Sequence, residues 1–496
     1  MRMLNSKYWI LTFIFLLLLF RLFPIFLPAW QTKETYQIDM SRSIAHENLK
    51  FFKQNVSFIQ DFKNNVFLSS PPRPWTEDFP LFNFFAAIVM KVFQTESLLT
   101  GRFLSLAFFI LGTFFLYGFT KRRYSKDIAL WATFFWSVSP ITMNYSIYFM
   151  AESAMVSSFL GVLYFLQKYL DTNQKKFFAL SIFFGMLVPA FRYYGALLWI
   201  PLLLWFLQER SWEFQKKTWL EITLLCGIPA LIPAFWLGYT LIAIDNPIHA
   251  QWHWGNWTHF LLSSFEYYDR MFQRISKYSI TYLGFIFLIV GTVIRRKDAL
   301  LMGGIFMMLL SMGIFTEGHD INPYYQFKFI PFLSILASVG LVAGVRWGAA
   351  LRLTPMLPPV LLVLLTFLAF RQTYKELRYD SSGMVLGHAL KTHTNPKDRV
   401  LVVQDIPDPG AFVYGDRSGW LQDIWQFNPN EVPDFIDVIA LRLSVDHLKK
   451  FEEKLSTYSF QWRIQAPLGR HQKCGMIDFF FEKCPRTEYV LAITKK

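Results

Sequence analysis

The sequence predicts a polytopic α-helical membrane protein with a small C-terminal α/β domain. Three observations carry this reading. The 496 residues are 53% hydrophobic and 19% aromatic but only 17% charged, against roughly 25% charge in a soluble domain. Apolar runs near the length of a bilayer crossing recur along the first 370 residues, separated by loops that alternate between basic and aromatic-acidic. After about Phe370 the pattern changes to that of a folded α/β domain: RVLVVQDIPDPGAFVYGDRSGWL reads as strand, Pro/Gly turn and strand, EVPDFIDVIALRLSVDHLKKFEEKL as strand then helix, and MIDFFFEKC and EYVLAITKK as short strands. The net charge of +14 does not indicate a nucleic-acid partner. From Arg371 onward there are 18 Lys+Arg against 16 Asp+Glu, a net of +2, so 14 − 2 = +12 belongs to the membrane part and its short loops.

Taken in order, the chain opens on MRMLNSKYWILTFIFLLLLFRLFPIFLPAW, two basic residues followed by an apolar run. The run reaches about Pro28 with no small-residue cleavage site behind it, so it reads as a retained anchor. Arg21 inside it is expected to snorkel to the outer interface, the functional alternative being a cation that faces a lipid phosphate. A long loop, 31–100, follows; it holds TYQIDMSRSIAHENL, the breaker cluster SSPPRPW and TEDFPLFNFF. Further apolar runs lie at about 102–120, 128–148, 152–168, 177–191, 193–208, 219–243, 279–294, 299–316, 323–345 and 354–370. With the anchor they give about eleven transmembrane helices. The basic loops KRRYSK (121–126), QKKFF, QKKTW, RRKD (295–298) and Arg346 with Arg352 are expected on the cytoplasmic side. The odd number of spans then places the N-terminus in the cytoplasm and the tail outside, in the arrangement of a bacterial inner (plasma) membrane protein. Residues 1–370 form the membrane module and 371–496 the extracytoplasmic α/β domain. Cys474 and Cys484 flank GMIDFFFEK and are expected to pair if that compartment is oxidising.

The outward loops carry isolated charges at membrane level, where an ionisable group is expensive and marks a functional cavity. The acids are Asp39, Glu77 with Asp78, Glu152, and Glu317 with Asp320. The cations are Arg42, Arg73, Arg192 and Lys328. Asp39 is expected to act on a substrate headgroup, and Glu34, five residues earlier, to be an exposed bystander. Glu152 has the alternative of a favourable acid at a helix N-terminus. Arg192, between two apolar runs, suits bidentate phosphate contact or an ion pair between two helices. The histidines of HAQWHWGNWTH read as an aromatic belt at the interface rather than a metal site.

The order of an acid in the first outer loop, FPLF, GRFLSLAFFILGTFFLYGFTKR, SPITMNYSIYFMAESAM, RYYG and NPYYQFKFIPFLSILASVGL resembles the GT-C membrane glycosyltransferases. Within them it is most similar to the protein O-mannosyltransferase and aminoarabinose-transferase branch, over about residues 8–345. The resemblance matches the family's first-loop acid to Asp39 in Asp39-Met-Ser-Arg42, with Met40 where a second acid usually stands. It matches the loop's acidic FPL element to Asp78-Phe-Pro-Leu81, the later acid to Glu152, and a late tyrosine pair to Tyr324 and Tyr325; His319 is displaced from its usual place. It implies a GT-C-like fold and a polyprenyl-phosphate sugar donor. It also implies inverting transfer to a lipid, glycan or protein acceptor on the outer face.

The expected site therefore comprises three catalytic acids, Asp39, Asp78 and Glu152, and three phosphate-binding cations, Arg192, Lys328 and Arg42. Glu77, Tyr193, Tyr324, Tyr325 and His319 are expected to contact substrate. Such a transfer needs a base at the acceptor hydroxyl and cations at the departing phosphate. A divalent metal on Asp39 and Asp78 stays open, and no other cofactor is expected. Membrane lipids are partners; nucleic acid is not. The competing class is a transporter or flippase of a lipid-linked or anionic solute, against which stand the lack of an internal repeat and the asymmetric loop and tail.

Overall fold

The computed structural model describes residues 2–22, 24–26, 32–52, 55–60, 73–74, 79–213, 215–243, 265–350, 357–376, 381–405, 408–471 and 486–495. Its contacts separate two units. The first comprises Met1–Ile25, Thr76–Phe82 and Arg102–Glu376; the second comprises Phe26–Trp75, Asn83–Gly101 and Leu377–Lys496. The first outer loop and the tail, which the sequence assigns to separate domains, thus contribute to one unit.

The first unit is helical, as expected. Among the described residues, Leu98–Arg123, Lys216–Thr240 and Pro323–Trp347 are long and apolar enough to cross a membrane. Phe265–Ser279 and Tyr282–Ile294 pass that test together but meet at 102°. Ile10–Phe20, Ala299–Ile314 and Pro358–Thr373 are shorter apolar helices. Several runs that read as continuous are broken. Lys126–Val138 stops before Pro140, which opens the separate short helix Pro140–Tyr145, because proline has no N–H for the ladder and its ring clashes with the preceding turn. Tyr193–Leu198 and Pro323–Phe329 are 3₁₀ segments that precede the regular helices Trp199–Glu209 and Ile330–Ala350. Two helices cross very closely: a Cβ on Gly291 would lie 1.8 Å from the Leu336 carbonyl oxygen, and one on Gly340 2.0 Å from that of Phe287. Small residues at a membrane helix crossing permit this approach.

The loops that the sequence groups as basic meet at one end of this unit. Arg123 pairs with Glu209 at 2.5 Å and with Asp298 at 3.6 Å, and Arg122 with Asp171 at 3.3 Å. The Tyr124 hydroxyl donates to Asp298 at 2.9 Å. The alternation read from charge is therefore also a spatial sorting.

Arg21 departs from both expectations. It is fully buried. Its Nε donates to Ser146 Oγ at 2.8 Å, and its Nη atoms donate to the carbonyl oxygens of Leu17 at 3.0 Å and Ser137 at 2.7 Å. The guanidinium lies 4.4 Å from the Phe109 ring centroid. Its donors are used on protein acceptors, so it ties helices together instead of reaching the interface. Arg21→Met leaves these buried acceptors without their donor, at roughly 1–3 kcal/mol for each unsatisfied group. The variant is expected to unfold at clearly lower temperature in detergent; an unchanged melting temperature contradicts this role.

The second unit holds a six-stranded sheet. Its strands are β1 (Phe58–Gln60), β2 (Val400–Gln404), β3 (Gly419–Asp423), β4 (Val438–Ser444), β5 (Trp462–His471) and β6 (Arg486–Lys495). The spatial order is β1-β3-β2-β4-β6-β5. The first four strands are mutually parallel, and β6 pairs antiparallel with both β4 and β5. β2 is buried at every position, the signature of a parallel strand covered on both faces. One face packs Val400, Val402, Val438 and Ala440 against Leu386 and Leu390 of the helix Ser382–His393. The other packs Leu401, Val403, Ile439 and Leu441 against Ile424, Phe427 and Phe451. The strands expected around VLVVQ, SGWL, DVIALRLS and EYVLAITKK are present. Between β2 and β3, where a turn is expected, lies the short helix Gly410–Gly415. Cys474, Cys484 and MIDFFFEKC fall outside the described residues.

β1 comes from the first loop. Its Ile59 is in register with Trp420 of β3. The loop helix Thr32–His46 sends Met40 into the same buried cluster as Val402 and Leu386. A thioether suits this fully buried position, where an acid would need a partner. Glu34 is fully buried rather than exposed.

Candidate functional site

In the first unit, three of the expected outer loops bring their charged residues together. Glu152 opens the helix Glu152–Thr172 and is fully buried. Arg192 interrupts the apolar path at the end of the helix Lys175–Phe191. Its extended backbone turns the chain, and its buried guanidinium meets Glu152 through both forks. Nε lies 2.9 Å from Oε1, and Nη2 donates to Oε2 at 3.3 Å. Of the two readings of Arg192, the structure shows the ion pair. Tyr194, which sequence reasoning passed over in favour of Tyr193, donates its hydroxyl to Glu152 Oε1 at 2.8 Å. Tyr193 meets it only edge to face, with ring centroids 5.8 Å apart. In a 3₁₀ turn successive side chains diverge, so the RYYG motif alone does not say which tyrosine turns inward.

Tyr194 stacks on Tyr325, with centroids 4.8 Å apart and planes 24° from parallel. This wall continues into an aromatic enclosure around Lys328. The Nζ atom lies 4.7 Å from the Tyr194 centroid, 5.6 Å from Tyr325, 5.3 Å from Phe329 and 5.9 Å from Phe315. Lys328 is fully buried, and Nζ has no hydrogen-bond acceptor among the described residues. Cation–π attraction offsets part of the lost hydration but supplies no acceptor. His319 is equally buried; it stacks on Phe329 at 5.6 Å and meets the edge of Tyr325 at 5.5 Å. Its Nε2 is 3.0 Å from Ser311 Oγ, while Nδ1 is buried without a partner among the described residues. Burial, Lys328 and Arg274 hold this imidazole well below the ordinary histidine range, so it is neutral at neutral pH. Tyr324 stacks beside Tyr325 at 5.2 Å and meets Tyr145 at 5.9 Å.

In the second unit, Asp39 is nine-tenths buried on the helix Thr32–His46. Its Oδ2 accepts hydrogen bonds from the Ser57 backbone N–H and from Ser57 Oγ, the latter at 2.9 Å. Desolvation outweighs these bonds and the Arg42 charge, so the carboxyl is pushed up to about 6, with Asp416 adding to the rise. Arg42 donates to the Val413 carbonyl oxygen at 2.8 Å and to that of Glu96 at 3.0 Å. Glu77 and Asp78 lie outside the described residues, and with them the second half of any Asp39–Asp78 metal pair. Among the described residues no group of three or more His, Cys, Asp or Glu side chains could hold a metal ion.

Residues 72–237 match the family model described as dolichyl-phosphate-mannose-protein mannosyltransferase. No match is found among curated protein sequences. Among solved structures, ArnT from Cupriavidus metallidurans bound to undecaprenyl phosphate is similar, with TM-score 0.59 and 13% identity over 98% of each chain. The archaeal oligosaccharyltransferase AglB from Archaeoglobus fulgidus, in complex with an inhibitory peptide and a dolichol-phosphate, has TM-score 0.51 and 11% identity over 95% of this chain and 75% of that one. The arabinofuranosyltransferase AftD from Mycobacteria has TM-score 0.54 and 13% identity, covering 98% of this chain and 40% of that one. The resemblance to the GT-C glycosyltransferases is borne out at the level of the fold.

Proposed function

We propose that this chain is an integral membrane glycosyltransferase. It moves a sugar from a polyprenyl-phosphate donor to a lipid, glycan or protein acceptor on the outer face of a bacterial inner membrane, with inversion. The observation that carries the reading is Lys328, a fully buried amine in an aromatic enclosure that has no acceptor among the described residues. A buried charge of this kind calls for an anion, and a lipid phosphate reaches membrane depth on its own chain. The fold supports the reading, since similar structures were solved with undecaprenyl phosphate and with a dolichol-phosphate.

The reaction is a single displacement. An acceptor oxygen attacks the anomeric carbon from the side opposite the phosphate, its bond to carbon forms, and the carbon–oxygen bond to the phosphate breaks. The acceptor proton passes to a carboxylate base, the role the sequence gives Asp39, and polyprenyl phosphate leaves with its charge stabilised by a cation, the role we give Lys328. Both oxygens of Glu152 are engaged by Arg192 and Tyr194, so we assign this trio a positioning role: it fixes the tyrosine that walls the Lys328 enclosure. We assign contact with the donor's polar head to Tyr325 and to His319, whose Nδ1 has no partner among the described residues. Incubating the purified chain with radiolabelled polyprenyl-phosphate sugars and envelope acceptors tests the proposal. Labelled acceptor with release of polyprenyl phosphate supports it; transbilayer movement of intact donor without release overturns it in favour of a flippase. Reporter fusions test the orientation: cytoplasm after Arg123, outside at Lys496.

The Glu152–Arg192 pair yields its own prediction. Arg192→Met strands a buried carboxylate and is expected to cost roughly 3–5 kcal/mol of stability. Adding Glu152→Leu is expected to restore most of the thermal stability while activity stays low, because Tyr194 has lost its anchor. Recovery of activity together with stability would contradict the positioning role.

A further inference from the structure

The sheet of the second unit carries a cluster that the proposed reaction does not use. The chain leaves β2 for β3 on one side and then crosses to β4 on the other. Connections that diverge on either side of one parallel strand leave a crevice outside the carboxyl ends, where open α/β sheets bind ligands. Asp405 follows β2, Asp423 ends β3 and Ser444 ends β4. His447 Nδ1 lies 2.8 Å from Asp405 Oδ2 and 3.0 Å from Ser444 Oγ. The Ser444 backbone N–H donates to the same carboxylate oxygen at 2.9 Å. With a carboxylate as acceptor, Nδ1 carries the hydrogen, which leaves the lone pair on Nε2. Serine and aspartate address the same ring nitrogen, so this is not a nucleophile–histidine–acid relay, which needs them on opposite nitrogens. It is an oriented imidazole with one third of its side chain exposed.

Two further features point to a ligand. Trp425, in the turn after β3, is 55% exposed although ring contacts to His447 (5.6 Å) and Phe451 (4.7 Å) fix its position. The Asp405 side chain is almost completely buried, and its Oδ1 meets no donor among the described residues. A buried acceptor without a donor is costly, so a group that donates to it gains that energy back. The polar atoms offered are a carboxylate oxygen and an imidazole lone pair, both acceptors, beside an indole. Acceptors repel a phosphate or carboxylate. They suit an uncharged ligand with donor hydroxyls around a flat C–H face.

We propose that this edge of the sheet is a carbohydrate-binding subsite, in which a pyranose ring lies against Trp425 and its hydroxyls donate to Asp405 Oδ1 and His447 Nε2. The proposal is independent of the transfer reaction. The test is saturation-transfer-difference NMR on the full chain in lipid nanodiscs. The probes are methyl α-mannoside, methyl β-galactoside and N-acetylglucosamine, with choline as the cationic comparison. At least one sugar is expected to receive saturation from the wild-type chain and from Lys328→Met. Apparent affinity is expected to fall about tenfold in Trp425→Ala, the scale of a lost aromatic contact. Trp425→Phe, which keeps an aromatic face, is expected to retain part of the signal and so separates ligand contact from folding. His447→Ala is expected to weaken binding at unchanged thermal stability. Equal transfer to Trp425→Ala, no transfer from wild type to any sugar, loss with Lys328→Met alone, or Trp425-dependent transfer to choline instead overturns the assignment.

Discussion

Lys328→Met is expected to weaken donor binding severely while leaving the helical unit at least as stable as the native one. Truncating one partner of a buried charge pair costs about 2–5 kcal/mol, so the donor KM or Kd is expected to rise by roughly 30-fold to a few thousandfold. Stability moves the other way because the donor-free protein holds the Lys328 amine out of water with no acceptor among the described residues, a cost that methionine of similar length does not carry. Lys328→Arg is the informative companion: it keeps the charge but places a planar fork in an enclosure shaped around a compact ammonium, so partial activity is expected. Donor titration in detergent and thermal unfolding of the same preparations read both effects. Unchanged donor affinity in Lys328→Met removes the phosphate assignment, and a large fall in melting temperature makes the lysine structural.

Asp39→Asn is expected to lower kcat by about 10²–10⁴, the range for a lost general base, with donor binding retained. The pH profile supplies a second reading of the same group. The acting species is the carboxylate, and burial pushes this carboxyl up to about 6. Turnover should therefore climb with pH through that value and level off above it, a limb that Asp39→Asn lacks. Stability follows the opposite sign. The folded state holds the Asp39 proton more tightly than the unfolded chain, whose carboxyl titrates near 3.9. Ionisation of Asp39 therefore takes stability away as pH rises from about 4 to about 6, and the loss is complete above that window. Relative to wild type, Asp39→Asn should be more stable at pH 8 than at pH 4. Near-normal turnover by the folded variant moves the base elsewhere, and Asp78 is then the next acid to test.

The elements of this chain were legible where a residue's neighbours in sequence decide its conformation. A run such as LLVLLTFLAF can satisfy its backbone in lipid only as a helix and is one, within Leu357–Glu376. VLVVQ is a strand buried throughout, and VIALRLS one buried at every position but its last, Ser444, as their largely apolar character requires. The clustering of the basic loops followed from charge alone.

The partners of these charges were not legible, because pairing depends on residues remote in sequence. Glu152 and Arg192 are 40 positions apart, and nothing in FMAES or FRYYG says that the carboxylate takes the whole guanidinium fork and then Tyr194. Arg21 and Glu34 read as exposed because a charge normally stays in water; both are buried. Arg21 is buried because four-residue helical spacing and two distant segments supply acceptors for it. β1 was invisible for the opposite reason: three residues carry too little periodicity to announce a strand, and it is the in-register edge of β3 that makes them one. Composition and periodicity by themselves determined a helical membrane protein with a small α/β tail. Only the tertiary structure decided which buried charges are neutralised by one another and which, like Lys328, are left to meet a ligand, because that balance is set by desolvation and distance between segments and not by any local pattern.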